Sequence, residues 1–233
     1  MRQENETTIL TCVSSLYREI STHKNRTGTL QPREFVAKLR QENDLFNNPQ
    51  HQDAQEFLNF LLNQISDDLR RDEAENCEPK KKKQNNGNHE DSKTWIQNIF
   101  EGVLTSETQC LRCENTTRRD EKFLDLSLDI EQNSSLTHCL RSFSSRSLLN
   151  KGDKYECSEC CCKQEAHKRM RIKELPVVLV LHMKRFKYVE KFREYRKLCY
   201  RVSFPFHLKV ETIESAENGE RDYHLFAVIV HIG

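Results

Sequence analysis

The sequence predicts an α+β protein in which helices precede a set of mostly antiparallel strands. Apolar residues recur at three- and four-residue steps through the first third of the chain, as on one face of amphipathic helices. After Trp95 the pattern changes to strict alternation, which is typical of strands with one solvated face. Two C-x-x-C pairs lie in this second part, and they predict a metal site among the strands.

Composition narrows the class of protein. The 233 residues carry a net charge of +1, so the chain as a whole has no electrostatic footprint for nucleic acid. No apolar run reaches membrane-spanning length, and the N-terminal residues lack the apolar stretch of a signal peptide. We therefore expect a cytoplasmic or nuclear protein that binds neither nucleic acid nor membrane. In such a reducing compartment, ten cysteines indicate metal binding or catalysis and not disulfides.

Three helices are predicted within residues 1–70. The first has an apolar face from Ile9 to Ile20, the second opens at Pro32, and the third carries an unbroken apolar stripe from Ala54 to Leu69. We interpret these faces as core packing. Cys12 lies inside the first helix, and we interpret it as a packing residue too.

Residues 71–94 are predicted to be a disordered, charged insertion. They contain no large aliphatic or aromatic side chain, so they cannot bury enough apolar surface to offset the entropy of ordering. The run of four lysines at residues 80–83 has two interpretations, a solvated loop or a patch for localisation or an acidic partner. The solvated loop is favoured.

Residues 95–175 are predicted to be β-rich, with Trp95 opening the first strand as a core anchor. A strand is predicted over residues 124–130, and a short helix that turns Cys139 inward is predicted after Ser134 or Ser135. Further strands rich in Val, Ile, Phe and Tyr are predicted at residues 177–186, 200–204 and 223–231. Residues 176–233 form the last predicted region.

Cys110, Cys113, Cys157 and Cys160 are the predicted ligands of one structural Zn²⁺. Two C-x-x-C pairs complete a tetrahedral shell of thiolates, which leaves no open position for catalysis. The alternative is a set of buried free cysteines packing as small hydrophobes, but the neighbouring residues are polar. Because Cys161 and Cys162 follow directly, the fourth ligand stays open at this point, and Cys160 is chosen on spacing.

Four segments together resemble the ubiquitin-specific proteases. Residues 52–58 are similar to the family's Q-D-A-x-E-F-L box, residues 100–102 to the approach to the first cysteine pair, residues 175–186 to the L-P…H-L-K-R-F strand, and residues 223–233 to the strand before the terminal histidine box. The resemblance implies a papain-like fold: a partial helical thumb (1–70), fingers with the zinc site (95–175) and an incomplete palm sheet (176–233).

The resemblance also implies a function and partners. It implies a cysteine-type deubiquitinase that hydrolyses the bond after the C-terminal glycine of ubiquitin, with Asp53, Glu56 and His231 contacting the ubiquitin tail. From the residues alone, the two carboxylates fit an ordinary helix N-terminus equally well. Residues 164–170 and 185–188 are similar to the subgroup whose members bind a WD40-repeat activator on the fingers. His182, in an apolar strand, is interpreted as a satisfied palm histidine.

The chain also departs from the family pattern. It contains neither the G-N-T-C-Y box of the nucleophilic cysteine nor the G-H-Y segment of the catalytic histidine. We therefore expect a chain truncated at both ends of the catalytic domain that hydrolyses nothing by itself, because the chemistry needs a thiolate activated by an imidazole. The alternative is a non-catalytic, zinc-containing module that binds ubiquitin or a WD40 partner. A zinc-ribbon adaptor unrelated to ubiquitin is disfavoured by the four matching segments.

Overall fold

The structure is a computed structural model that describes residues 7–22, 28–48, 50, 52–76, 93–190, 193–213 and 220–230. The chain divides into two compact units, residues 1–97 and residues 98–233. Over the described ranges, every helix is either too short or too polar to cross a membrane.

The first unit is helical, as predicted. Its helices are α1 (Ile9–Thr22), α2 (Arg33–Glu42), a 3-10 turn (Asp44–Phe46) and α3 (Ala54–Asn76), and α4 (Trp95–Phe100) begins at its end. Ile9, Cys12, Leu39 and Ile65 are buried, which confirms the packing role of Cys12. Burial also raises the pKa of the Cys12 thiol.

Two expectations for this unit differ from the structure. Helix α3 runs six residues into the stretch 71–94, because Arg71, Glu73 and Ala74 are good helix formers that extend an already nucleated helix. Residues 77–92 of that stretch lie outside the described residues. Trp95 opens a helix instead of a strand, and half of its surface is exposed, so its interpretation as a core anchor was wrong.

Helix α1 is fixed at its N-terminus by a side chain from α3. The carboxylate of Asp68, which is fully buried, accepts a hydrogen bond at 3.1 Å from the backbone N–H of Leu10, and Gln64 and Arg71 also donate to it. The first N–H groups of a helix have no partner within the helix, so Asp68 acts as a cap supplied from a distant part of the chain.

The described part of the second unit adds helix α5 (Leu136–Phe143), a 3-10 turn (Lys151–Asp153) and the strands. These are β1 (Gly102–Cys110), β2 (Thr116–Phe123), β3 (Leu126–Asp129), β4 (Ser134–Ser135), β5 (Ser147–Leu149), β6 (Tyr155–Cys157), β7 (Cys162–Gln164), β8 (Ala166–Glu174), β9 (Leu181–Lys184), β10 (Phe186–Val189), β11 (Glu194–Lys197), β12 (Val202–Ser203), β13 (His207–Glu211) and β14 (Glu220–His224). The α+β class is therefore confirmed.

Strands β1, β2, β5 and β8 form an antiparallel sheet in the order β2-β1-β8-β5, which we call the finger sheet. At the end of the sheet away from Cys110, Gly102 faces the ring of Phe123. A Cβ at this position would overlap the ring, so only glycine lets the two strands approach. The core of the unit lies beside this end and includes Leu104, Ile172 and Leu128.

The prediction for residues 124–143 is confirmed. Strand β3 has the expected alternation of burial, and α5 begins after Ser135, whose hydroxyl caps the backbone N–H of His138 at 3.2 Å. The pairing differs from the antiparallel expectation at two places, since β3 with β9 and β4 with β12 are parallel pairs.

The last predicted strands are shorter than expected. Residues 177–186 give only β9 and the start of β10, and residues 200–204 give only β12. The strand predicted over residues 223–231 ends at His224, and residues 225–230 are exposed. Apolar character alone does not make a strand, and in the described part of the chain β14 pairs only with β13.

Candidate metal centre

Two tight turns carry the four cysteines of the C-x-x-C pairs. The first turn joins β1 to β2, and within it the backbone N–H of Glu114 donates to the carbonyl of Cys110 at 3.0 Å. The second joins β6 to β7, where Cys157 and Cys162 are paired across the hairpin. Each turn contains one residue with positive φ, Glu114 at 59° and Cys161 at 51°. These local reversals allow the two thiols of a pair to face the same side.

The finger sheet brings the two turns together. Cys110 is paired with Ala166 on β8, and the backbone N–H of Leu111 donates to the carbonyl of Glu165 at 2.9 Å. Because Glu165 lies three residues after Cys162, this bond ties the first turn to the strand that leaves the second. Antiparallel pairing therefore brings the two cysteine pairs together, although they are far apart along the chain.

The four sulfur atoms lie within 4.8 Å of one another. The Sγ atoms of Cys110 and Cys160 are 4.0 Å apart, and those of Cys113 and Cys157 are 3.5 Å apart. A tetrahedron with metal–sulfur bonds of about 2.3 Å has edges of about 3.8 Å, so the cluster could hold a metal ion at its centre. The prediction that these four cysteines come together is confirmed.

The neighbouring thiols have other partners. Cys161 Sγ donates to the carbonyl of Ser158 at 3.3 Å, and Cys162 Sγ donates to the carbonyl of Cys160 at 3.1 Å. Cys162 also accepts a hydrogen bond from Nε2 of Gln164 at 2.9 Å. The geometry therefore selects Cys160 as the fourth member of the cluster.

The acidity of the thiols depends on their mutual contact. Hydrogen bonds from the backbone N–H groups of Cys113 and Arg112 outweigh burial and lower the pKa of Cys110 to about 7. Burial, followed by the three neighbouring thiols, raises the pKa of Cys160 to about 12. Crowded thiols cannot all ionise without a counter-charge, and a bound dication supplies one.

A pair of charge clusters stiffens the finger sheet next to the metal centre. Glu107 on β1 is buried and accepts from Arg118 on β2 at 3.0 Å and from Arg169 on β8 at 2.6 Å. Burial opposes ionisation, but the two guanidinium groups overcome it and hold the pKa of Glu107 below its ordinary value. Asp120 similarly accepts from Lys173 and Thr105, which lowers its pKa.

Sequence reasoning missed both charge clusters. Their members are far apart along the chain and become neighbours only through the register of β1 with β2 and β8. The sequence offers one signal, Glu107 within the predicted β-rich region. This signal is weak unless it is known which residues of β2 and β8 lie opposite Glu107.

The remaining predicted site residues lie apart from the metal centre. Asp53 and Glu56 are exposed at the start of α3, where Asp53 Oδ1 accepts from the backbone N–H of Gln55 at 2.7 Å. His231 lies outside the described residues. His182 Nδ1 and the hydroxyl of Ser127 are 3.0 Å apart, which confirms His182 as a hydrogen-bonded histidine between paired strands.

Taken together, the geometry defines a class of site. Two hairpin turns that close four thiols at the end of an antiparallel sheet form a ribbon-like metal-binding finger within an α+β domain. The sequence profile of the family described as ubiquitin carboxyl-terminal hydrolase matches residues 1–233, so the chain belongs to this family.

Two curated relatives agree with this assignment. The chain is 48% identical over 240 residues to ubiquitin carboxyl-terminal hydrolase 12 of Salmo salar and 47% identical over 246 residues to ubiquitin carboxyl-terminal hydrolase 4 of Arabidopsis thaliana. All of the chain is covered in both comparisons. It spans 64% and 67% of the lengths of these two relatives.

Solved structures of the SAGA DUB module, formed by Ubp8, Sgf11, Sus1 and Sgf73, are similar in fold. A form bound to monoubiquitin matches 86% of this chain with a TM-score of 0.69 and 31% identity. A form bound to ubiquitin aldehyde matches 98% with a TM-score of 0.67 and 28% identity. A yeast form with a mutation in Sgf73 matches 94% with a TM-score of 0.71 and 29% identity. The chain covers 42%, 56% and 45% of the matched chains, respectively.

Proposed function

We propose that this chain belongs to a cysteine-type deubiquitinase, which hydrolyses the bond after the C-terminal glycine of ubiquitin. The observation that carries the proposal is identity of nearly one half, over the whole chain, to two ubiquitin carboxyl-terminal hydrolases. The fold supports it, since the similar solved structures are DUB modules.

The thiol cluster is proposed to hold one structural Zn²⁺. Four thiolates suit a borderline-soft d¹⁰ ion that accepts tetrahedral coordination, and a closed shell has no position for a reacting water. In this role Cys110, Cys113, Cys157 and Cys160 hold two hairpin turns together, and the metal supplies folding free energy.

Ubiquitin is the proposed binding partner. The similar Ubp8 modules are bound to monoubiquitin or ubiquitin aldehyde, and we infer that this chain also contacts ubiquitin. Asp53 and Glu56 are exposed, and their carboxylates are proposed to accept charge-assisted hydrogen bonds from arginines of the ubiquitin tail. Asp53 Oδ1 already accepts a hydrogen bond from the backbone N–H of Gln55. A carboxylate can accept about four hydrogen bonds, so Asp53 can still accept others from ubiquitin. His231 is proposed as a third contact.

Catalysis is proposed to need residues other than those of this chain. Hydrolysis by a cysteine enzyme requires a thiolate beside an imidazole. In the described part of the chain, the hydrogen bonds of the thiols of Cys139, Cys161, Cys162 and Cys199 are with groups other than imidazoles. Cys139 is buried in the apolar core, and burial raises the pKa of the Cys12 thiol, which suits packing and not attack on a substrate.

Ubiquitin binding and turnover test the proposal separately. Binding of the 233-residue chain to ubiquitin should weaken about tenfold in the variant Asp53→Asn/Glu56→Gln, since two charge-assisted hydrogen bonds are lost. Glu19→Gln, on the exposed part of α1, is the matched control and should leave binding unchanged. If the double variant binds ubiquitin as tightly as the wild type does, Asp53 and Glu56 do not contact ubiquitin.

Turnover is tested with a fluorogenic substrate attached to the ubiquitin C-terminus. We expect no turnover and no labelling by a thiol-reactive ubiquitin probe with this chain alone. Labelling mapped to Cys12 would contradict its packing role and show a functional nucleophile within the chain.

A WD40-repeat protein is proposed as an activator that binds the fingers, on the resemblance of residues 164–170 and 185–188 to the activated subgroup. The second candidate function, a non-catalytic ubiquitin- or WD40-binding module, is favoured if binding is retained while no extended form of the protein ever shows turnover. Co-purification with a WD40 protein, lost when the finger sheet is deleted, tests the partner.

A further inference from the structure

Two histidines face each other across the β13–β14 hairpin. His207 and His224 are directly paired in the antiparallel register, with ring centroids 4.4 Å apart and ring planes at 75°. A backbone hydrogen bond joins Leu225 to Phe206, so the next pair along, His207 with His224, occupies the non-hydrogen-bonded position. Side chains approach most closely at this kind of position.

The spacing of the rings fits two imidazoles on one metal ion. With metal–nitrogen bonds of about 2.0–2.1 Å, two imidazoles bound at angles between 90° and 109° have centroids about 4.5–5.2 Å apart. The observed centroid distance of 4.4 Å lies just below this range, and small rotations of the two exposed side chains would bring the rings into it.

The ring nitrogens are available for a ligand. Among the described residues, neither His207 nor His224 has a hydrogen-bond partner for its ring, and both side chains are exposed. Imidazole nitrogens suit divalent ions such as zinc and nickel, and solvent can complete the coordination of an exposed ion. In the described part of the chain, no carboxylate joins the two histidines in one ligand cluster.

We propose that His207 and His224 form a second metal site, which binds a divalent transition metal ion of the zinc or nickel type through two imidazole nitrogens. The site differs chemically from the thiol cluster. It is exposed, incomplete and nitrogen-based, so it binds reversibly and more weakly than a closed thiolate shell.

Because of where His207 and His224 lie in the hairpin, a metal ion bound to them would stabilise the pairing of β13 with β14. His207 begins β13 and His224 ends β14, so the site lies at the open end of the hairpin, where the chain continues into residues 225–230. A two-stranded hairpin is marginal by itself, and a metal ion across its open end would hold the two strands in register. Metal binding would therefore stabilise the open end of the hairpin, where one further backbone hydrogen bond, from Leu225 to Phe206, follows the histidine pair.

The test is a calorimetric titration of Ni²⁺ into protein whose thiol cluster is already loaded with zinc. We expect one additional equivalent to bind in the wild type. Loss of even an outer-shell partner typically costs at least about tenfold in metal affinity, so His207→Gln and His224→Gln should each weaken binding by about tenfold or more.

His138→Gln is the matched control, because His138 is also an exposed imidazole but pairs with Glu131 at 3.3 Å outside the hairpin. It should leave the affinity unchanged, and circular dichroism should show the same fold in every variant. The alternative is that the two rings only stack edge to face. That alternative holds, and the site is overturned, if the double variant His207→Gln/His224→Gln still binds the additional equivalent or if each single variant behaves like His138→Gln.

Discussion

The finger sheet and the segment of residues 204–230 belong to the same unit, but their strands are held in opposite ways. In the finger sheet, Glu107 is neutralised by arginines on both adjacent strands, and four thiols converge at its end. In the segment, β13 and β14 pair only with each other among the described residues, and large apolar side chains lie in solvent. The exposed fractions are 76% for Phe206, 80% for Phe226 and 74% for Ile229.

The difference shows where each region obtains its stability. The restraints of the finger sheet come from within it: two short turns, cross-strand charges and a site that a metal can close. In the segment, Leu208 and Val210 of β13 are buried in the core, but Phe206 and residues 225–230 have no covering layer in the described part of the chain. A region with internal restraints supplies its own stabilising contacts, whereas the exposed part of the segment depends on contacts that its own residues do not supply.

The largest expected effect comes from removing one thiolate of the metal centre at the end of the finger sheet. Cys157→Ser removes a buried member of the cluster, so the protein should lose its zinc. Because binding a structural zinc amounts to about 10–16 kcal/mol in zinc-finger peptides, most of it as folding energy, the finger sheet should unfold locally. Metal analysis and amide exchange of β1 and β8 measure both outcomes.

Cys161→Ser is the control for this experiment, because Cys161 is exposed in the same turn and donates to Ser158 instead of joining the cluster. It should retain one zinc per chain. If Cys161→Ser loses the metal while Cys160→Ser keeps it, the fourth ligand has been assigned to the wrong cysteine. Zinc-free wild-type protein with a protected finger sheet would contradict the metal centre itself.

The second prediction concerns Glu107. Glu107→Gln keeps the shape of the side chain but leaves Arg118 and Arg169 without their counter-charge, so the free energy of unfolding should fall by about 1–3 kcal/mol. Glu121→Gln on the same sheet is the control. Its carboxylate is half exposed and 3.8 Å from Arg119, so it should change stability by less than about 0.5 kcal/mol. Denaturant unfolding at pH 7 measures both variants.

The pH dependence of this difference gives a sharper test. The pKa of Glu107 is lowered in the folded state, so its stabilisation is complete above the unfolded value of about 4.3 and is lost as the pH falls through the folded value. The stability gap between wild type and Glu107→Gln should therefore narrow below about pH 4. A gap that stays constant down to pH 3 would show that packing, and not charge, makes Glu107 stabilising.

The sequence predicted the features that depend on nearby residues. The apolar period gave α1 and α3, the spacing of the two C-x-x-C pairs gave the thiol cluster, and a serine before an apolar run gave α5. For the helices the cause lies within a few residues, in the apolar period or a cap. For the thiol cluster only the spacing within each pair is local, and the pairing of β1 with β8 brings the two pairs together.

What the sequence did not predict depends on pairing between distant segments. The cap that Asp68 provides to α1 spans 58 residues, and the cluster around Glu107 depends on the register of three strands. Residues 225–230 looked like a buried strand because they are apolar, but a strand also needs neighbours. The prediction that Trp95 is a core anchor was wrong for a related reason. A large aromatic side chain indicates burial, but the neighbouring sequence does not show which residues would cover it.

The smallest effect on stability, and the last prediction, concerns the exposed segment. Phe226, Ile229 and Val230 are each at least 70% exposed, and the backbone of residues 225–230 lies in no strand. Uncharged apolar segments of this kind pair with copies of themselves in other molecules. We therefore expect the 233-residue chain to self-associate as its concentration rises.

Ile229→Lys tests this directly. A surface substitution should change the unfolding free energy by no more than about 0.5 kcal/mol, but a charge within the apolar run should shift the chain toward monomer in size-exclusion chromatography with light scattering. Leu148→Lys is the matched control, because Leu148 is 48% exposed on edge strand β5 of the finger sheet, where the neighbouring strands are already held. If wild type is a stable monomer with a cooperative melt, or if both lysine variants shift association equally, the segment is not the source of self-association. The contrast between the two regions would then lie in local pairing alone and not in how they behave in solution.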